Sequence, residues 1–351
     1  MIGVVGATGF TGRLVASRLQ ELNAQFCLLG RSLPRLEKIA SEIRGVPTRR
    51  INVLDSSTFG ALEGCDVVIN CAGPFIQLGE PIVREAVARR IHYLDTTGEQ
   101  AFIKLAYDKY GASAREQQIA LVPACAFEYA LGDAAGTLVL EQLPDCDTLE
   151  IVYWVEGMHA SAGTKKSAIL AMTSPGFQLL DQKLVELPPA AIIRRLEIDG
   201  RSRCAFSFPG GEVLMLPMHA SIHSVATLIA LDLPQALISS LATASRILLK
   251  SGLSKIVIAL VDALAGEPTT EQRISTRFTM VCTGSSSSGS RQLTISGADP
   301  YWVTAAIVAG LAGHLDRHQP VRGGALSPAM VAGAELIQNI TSSVGVSWTA
   351  Q

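Results

Sequence analysis

Ile2-Gly3-Val4-Val5-Gly6-Ala7-Thr8-Gly9-Phe10-Thr11-Gly12 opens the chain, and the fold is read outward from it. Ile2 to Val5 is a short apolar, β-branched run, the pattern of a buried strand. Glycines at 6, 9 and 12 follow at once, and Phe10, Leu14, Ala16 and Leu19 then take up helical spacing. Strand, glycine-rich turn and helix in that order is the context in which a glycine motif holds a dinucleotide. The glycines let the backbone turn tightly and approach a pyrophosphate, and the helix N-terminus offers it free N–H groups and partial positive charge. A second strand, Gln25-Phe26-Cys27-Leu28-Leu29, closes on Gly30-Arg31-Ser32. The tip of that strand faces the adenosine ribose in such folds; an acidic residue there suits NAD, and an Arg suits the 2′-phosphate of NADP. Here the tip has no carboxylate, and Arg31, Ser32, Arg35 and Lys38 cluster after it. The expected cofactor is NADP(H).

The rhythm continues. Thr48 to Val53 reads as a third strand ending near Asp55, and Cys65 to Cys71 as a nearly continuous apolar fourth. The fourth runs into Ala72-Gly73-Pro74-Phe75, and a helix from Glu80 to Arg90 carries proline in its first turn. His92 to Asp95 is a fifth strand closed by Thr96-Thr97-Gly98-Glu99, and Ile119 to Pro123 a sixth. Strands alternating with helices at this spacing predict a Rossmann-type, doubly wound α/β parallel sheet, with ligands at the carboxyl ends of the strands.

After Ala126 the pattern changes. Leu131 to Leu143 reads as helix, Leu149 to Val155 as strand, and Ser161-Ala162-Gly163-Thr164 as the opening of a helix with Thr164 at its N-cap. Leu196 to Gly200 and Arg203 to Pro209 suggest a hairpin, and Ser224 to Ala265 a very apolar helical region. Arg273 to Cys282 and Arg291 to Ser296 flank a Gly-Ser tip. Together these predict a second α+β domain on a mainly antiparallel sheet. The expected division is 1–130 plus 320–351 for the nucleotide domain and 131–319 for the second, substrate or dimerisation, domain. The helix starting at Ser327-Pro328 is expected to pack back on the first domain.

Composition narrows the function. The chain has 351 residues, 48% of them hydrophobic and 17% charged, which makes it globular with ample core and room for two domains. A formal net charge of −2 points away from nucleic acid and anionic membrane surfaces. The seven cysteines are scattered without a Cys-x-x-Cys pair, as expected of reduced core thiols in a cytoplasmic protein. The first strand begins at residue 2, which leaves no room for a signal peptide, and no stretch suits a membrane-spanning helix.

Hydride transfer asks the protein to place the nicotinamide, polarise the acceptor and supply a proton. Residues at the strand ends are therefore the candidates. Gly6, Thr8, Gly9, Phe10, Thr11, Gly12, Arg31, Ser32, Asp55, Cys71, Ala72, Gly73, Pro74 and Thr97 are expected to bind the cofactor. Glu99, Tyr129 and Lys165 are the catalytic candidates, with Glu128 beside Tyr129 as another proton source. Glu99 reads equally as an exposed carboxylate at a helix N-terminus, and Tyr93 with Asp95 as a buried satisfied pair. Lys165, with Lys166 and Ser167, would form an anion-gripping helix start. His219 with His223, and His314 with His318, lie four apart but lack carboxylate or cysteine partners, so no metal is expected.

The combination resembles the saccharopine dehydrogenase-like NADP-binding family, including its trans-acting enoyl reductases. The resemblance rests on Gly6 to Gly12, Gly30-Arg31-Ser32, Cys71 to Phe75 with Gly79-Glu80-Pro81, and Tyr93 to Glu99. Gly163-Thr164 with Ser167, Gly297 to Pro300 and Gly323 to Pro328 extend it towards the end. It departs at Pro123 to Asp133, where Glu128-Tyr129 replaces the centre of a run the family often has. The resemblance implies the fold, NADP and reductase-like chemistry, and a small-molecule substrate, hydrophobic or anionic, is expected between the two domains. A short-chain dehydrogenase is disfavoured because no tyrosine has a lysine four residues on. The rival from another class is a redox-sensing regulator that binds NADP(H) without turnover. A homodimer stays open.

Overall fold

Seven strands make the first of two sheets, in the order β15 (Gly324–Ala325), β6 (Ala120–Val122), β5 (His92–Asp95), β4 (Val67–Asn70), β1 (Ile2–Val5), β2 (Phe26–Gly30) and β3 (Thr48–Arg50). The structure is a computed structural model. It describes residues 1–350 apart from 44, 166–174, 189, 199, 234–235, 238–239, 241–242, 244–265 and 319–321. The chain divides into two compact units: Met1–Thr97, Ala101–Ala130 and Tyr301–Val344 in the first, and Gly98–Gln100, Leu131–Pro300 and Gly345–Gln351 in the second.

In the first unit, β1 (Ile2–Val5), β2 (Phe26–Gly30), β3 (Thr48–Arg50), β4 (Val67–Asn70), β5 (His92–Asp95) and β6 (Ala120–Val122) are all parallel. A seventh, β15 (Gly324–Ala325), returns late in the chain and pairs parallel with β6. β1, β2, β4 and β5 are buried along their whole length, as a parallel sheet covered on both faces requires. The sheet order reverses at β1, between β2 and β4, and that switch point opens the crevice where such sheets bind ligands. The connecting helices are α1 (Phe10–Glu21), α2 (Leu33–Glu42), α3 (Phe75–Leu78), α4 (Glu80–Arg89) and α5 (Gln100–Glu116). One face of the sheet presents Val5, Leu29, Val68, Tyr93 and Leu121, every second residue, to Phe59, Ile82 and Phe102.

α6 (Phe127–Gln142) leads into the second unit, where its Val139 packs against Gly284. The main path of the second sheet runs β10 (Ile193–Ile198), β11 (Arg201–Ser207), β12 (Ser224–Leu231), β7 (Thr148–Glu156), β13 (Arg277–Ser286), β14 (Gly289–Ala298) and β16 (Ser347–Ala350). A further pair, β8 (Gly176–Leu180) and β9 (Lys183–Leu187), joins it at β12. Its pairings are antiparallel except β12 with β7, so the sheet is mixed around one central parallel pair. α9 (Pro300–Arg317) follows, after the short α7 (Glu212–Met215) and α8 (Thr270–Ser275), and α10 (Pro328–Ala332) and α11 (Ala334–Ser342) close the first unit.

Four expectations need correction. Ser224–Leu231 is a strand, not helix: Val225, Thr227 and Ile229 are β-branched at every second place, and burial on both sides hides the period. The rest of the apolar region expected to be helical lies almost wholly outside the described residues, as do Lys166 and Ser167. Thr164 is not the N-cap of its helical turn. Ser161 holds that place: its hydroxyl accepts the Thr164 N–H at 3.2 Å, and its carbonyl accepts the Lys165 N–H at 2.9 Å. The helix after Ser327 is two helices, parted by Gly333 at φ +87°. Finally, residues 347–350 add an edge strand to β14 in the second sheet, so the stretch returning to the first unit ends at Val344 and includes most of α9.

Candidate functional site

The expected cofactor residues of the first strand lie at the switch point. Gly6 sits at φ +77°, and a Cβ there would come within 2.9 Å of the Ala72 nitrogen at the end of β4. Only glycine lets the two strand ends approach so closely. The Gly9 N–H donates to the Gly6 carbonyl at 2.9 Å, closing a turn over Ala7 and Thr8. A Cβ on Gly12 would overlap that same carbonyl, so Gly12 seats α1 against the turn. Gly9 is the N-cap of α1 and is exposed, and no side chain caps the helix. Phe10, Thr11 and Gly12 thus form a first turn whose N–H groups are left to an anion. A pyrophosphate fits this cradle.

Arg31 is exposed at the tip of β2, and Ser32 is the N-cap of α2 without its side chain capping it. Both remain available to a phosphate at that tip. Asp55 is engaged locally instead. Its Oδ1 accepts the Ser57 N–H at 3.1 Å and the Ser57 hydroxyl at 2.7 Å, capping a short 3-10 turn. Those bonds hold its carboxyl below the ordinary range.

The ends of β4, β5 and β6 are tied together by one buried network. Tyr93 donates to Asp95 Oδ2 at 2.8 Å, and the Asn70 amide donates to the Tyr93 oxygen at 3.2 Å. Asp95 Oδ1 accepts the N–H groups of Thr97 at 2.9 Å and Ala124 at 2.8 Å. Asn70 Oδ1 in turn accepts the Ala72 N–H at 3.0 Å. Burial together with the Asp95 charge raises the Tyr93 pKa well above that of a free phenol. Tyr93 and Asp95 are therefore a satisfied structural pair. The N–H groups of Ala72 and Thr97 are engaged within this network, at 3.0 Å to Asn70 Oδ1 and 2.9 Å to Asp95 Oδ1. Ala124 sits in left-handed backbone at φ +60° to make its bond. Asn70, the last residue of β4, links Ala72 to Tyr93.

Cys71 follows β4, and burial pushes its thiol up to about 12 although Thr96 hydrogen-bonds to it. A thiol so protonated is no nucleophile. Gly73 and Pro74 continue the loop, with Gly73 exposed and Pro74 at the N-cap of α3. Beyond β6, the Phe127 N–H donates to Thr304 Oγ1 at 3.0 Å, which fixes the start of α6. Glu128 stands in that first turn. Part of its surface is open, yet the surrounding protein pushes its carboxyl up to about 7, chiefly by burial. The neighbouring Tyr129 is buried. Glu99 is buried too, 7% exposed, so it is not the exposed helix-start carboxylate of the alternative reading. Glu99 and Lys165 belong to the second unit, Lys165 partly exposed on the turn that Ser161 caps. Among the described residues no cluster of metal-ligating side chains occurs, and no helix is long and apolar enough to cross a membrane.

Residues 2–135 match the family of saccharopine dehydrogenase NADP binding domains. The match covers the nucleotide-binding part of the chain, less than half of its length, and supports NADP as the cofactor. The chain is 29% identical over 210 residues to a lipid droplet localized protein of Caenorhabditis elegans, covering 54% of this chain and 49% of that one. It is 26% identical over 214 residues to a saccharopine dehydrogenase-like oxidoreductase of Rattus norvegicus, covering 54% and 50%. A trans-acting enoyl reductase of Mycobacterium ulcerans shares 31% over 134 residues, covering 36% and 32%. The match spans about half the length of the first two relatives. In fold, the chain matches saccharopine dehydrogenase (L-Glu forming) from Saccharomyces cerevisiae over 100% of its length and 99% of that chain, with a TM-score of 0.68 at 12% identity. Homospermidine synthase from Legionella pneumophila, in complex with NAD, gives 0.68 at 10% identity, covering 100% and 91%.

Proposed function

We propose that the chain is an NADPH-dependent reductase and that Glu128 provides the proton. The observation that carries the reading is the uncapped glycine turn at the end of β1, seated against the end of β4, with Arg31 at the tip of β2. Bound NADPH supplies a hydride to one atom of an unsaturated acceptor. The electron pair of the acceptor's π bond is left on the other atom and takes the proton. Glu128 suits that step, because a carboxyl near 7 still holds its proton at neutral pH and can part with it. Gly6, Gly9 and Gly12 place the pyrophosphate, and Arg31 with Ser32 holds the 2′-phosphate. Tyr93, Asp95 and Asn70 keep the strand ends fixed beneath it.

One relative is named an enoyl reductase and another a lipid droplet protein. These names support an unsaturated, lipid-like acceptor as the first substrate class to try. The test follows NADPH absorbance with enoyl thioesters, ketones and imines, using the wild type and Glu128→Gln. Turnover with one class that Glu128→Gln loses supports the reading. Tight NADPH binding without turnover on any class overturns it in favour of a redox-sensing regulator.

A further inference from the structure

The second sheet carries a row of aligned side chains that the reductase reading leaves unused. Thr279 on β13 pairs in register with Trp154 on β7 and with Ser296 on β14, and Ser296 pairs with Ser347 on β16. Two residues along, Glu156 pairs with Arg277. Residues two apart on a strand share a face, so these stand together on one side of the sheet. Over them lies a cavity of about 570 Å³, walled also by Arg201 and Arg203. That volume falls in the range of small-molecule sites, about 300–1,000 Å³.

The charged lining is mostly cationic, Arg201, Arg203 and Arg277 against one carboxylate, Glu156, in a chain whose net charge is −2; one Arg277 nitrogen also donates to the Ile274 carbonyl at 2.6 Å. A polar row alone would be an ordinary wet face of an antiparallel sheet. Arg203 argues otherwise. Its side chain is only 2% exposed, and its guanidinium lies 3.9 Å from the centre of the Trp154 ring. One Nη donates to the Ile198 carbonyl, and Asp232, 62% exposed, lies 3.0 Å from Nε as an ion pair. That carboxylate is off the line of the Nε–H bond, which has no hydrogen-bond acceptor. A buried cation with an unsatisfied donor is costly unless something else meets it. Stacked on an aromatic plane, it is also a charge already fixed in place for a ligand.

We propose that this face of the second sheet binds a small organic oxyanion, a carboxylate or a phosphate ester, gripped by Arg201, Arg203 and Arg277 over the hydroxyl row. The guanidinium forks match planar oxyanions in two-point contacts, and Ser296 and Ser347 add neutral donors. The site lies wholly within the second unit and does not rest on the hydride reading.

The test uses the full chain saturated with NADPH, so that the nucleotide cradle is filled, and titrates citrate and inorganic pyrophosphate by calorimetry. At least one should bind with a submillimolar dissociation constant. Arg201→Gln with Arg277→Gln should weaken it about tenfold or more, and Glu156→Gln should tighten it, both with NADPH affinity unchanged. Arg203→Lys, which keeps the charge and loses the stacking fork, should weaken it as well. Citrate alone marks a carboxylate ligand and pyrophosphate alone a phosphate. The proposal is overturned if neither probe binds below about 10 mM, or if the double arginine variant binds as the wild type does.

Discussion

Tyr93 donates its hydroxyl to Asp95 Oδ2 across 2.8 Å, and the bond sits in the middle of the network that aligns β4, β5 and β6. Removing it with Tyr93→Phe takes a hydrogen bond from a fully buried carboxylate and the described acceptor from the Asn70 amide. The expected loss is about 1–3 kcal/mol of stability, the cost of an unsatisfied buried group. Denaturant unfolding measures it. A variant as stable as the wild type would show that the pair contributes nothing to the framework.

On the proposed reading Arg31, exposed at the tip of β2, meets the 2′-phosphate. Arg31→Ala should weaken NADPH binding by ~1.5–3 kcal/mol, as for a charge-assisted contact, and leave NADH nearly untouched. Titration of both nucleotides decides it. Equal losses for the two would remove Arg31 from cofactor choice.

Gly12→Ala drives a methyl group into the Gly6 carbonyl, which is backbone and cannot swing aside. The turn must open, at a cost of about 1–3 kcal/mol in stability, and NADPH affinity should fall with it. Gly45→Ala is a useful contrast, because a Cβ there meets no neighbour although φ is +70°. It should spare nucleotide binding.

Glu128 gives a pH signature. Its carboxyl rises from 4.5 to about 7 in the folded chain, so between those values the folded state holds more protons than the unfolded one. Stability should therefore fall as pH rises through that window, and Glu128→Gln should flatten the fall. As proton donor, Glu128 also predicts kcat/KM declining above about pH 7, and a loss of about 10²-fold or more in Glu128→Gln. A wild type and variant with superimposable pH–stability curves would refute the burial argument. Equal turnover would refute the catalytic one.

Much of the first sheet was legible because its strands are short apolar runs broken by glycine, and each meets the same environment on both faces. The second sheet was harder. Ser224–Leu231 is apolar on both sides, so neither period stands out, and its parallel partner lies far back at Thr148. The edge strand at 347–350 is four residues long and half polar, leaving little in its pattern to find. At the site, the glycine turn could be read because glycine is needed there for steric reasons. The partners of Asp95 could not, since two of the three hydrogen bonds described to its side chain come from backbone N–H groups that any residue supplies.

The pairing of β15 with β6 has a consequence for how the protein comes into being. Leu121 must wait for Ala325 before the first sheet has its last strand. A chain leaving the ribosome thus exposes an open β6 edge while the whole second unit is being made. The family stretch, residues 2–135, encodes six of the seven strands and is an unfinished object until the returning segment arrives. Loop closure over so long a span adds only slowly to the entropic cost, so the returning strand is tolerable in equilibrium and slow in time. Recovery from denaturation limited by the late docking of residues 301–344 is the expected outcome of where two short strands lie in the sequence.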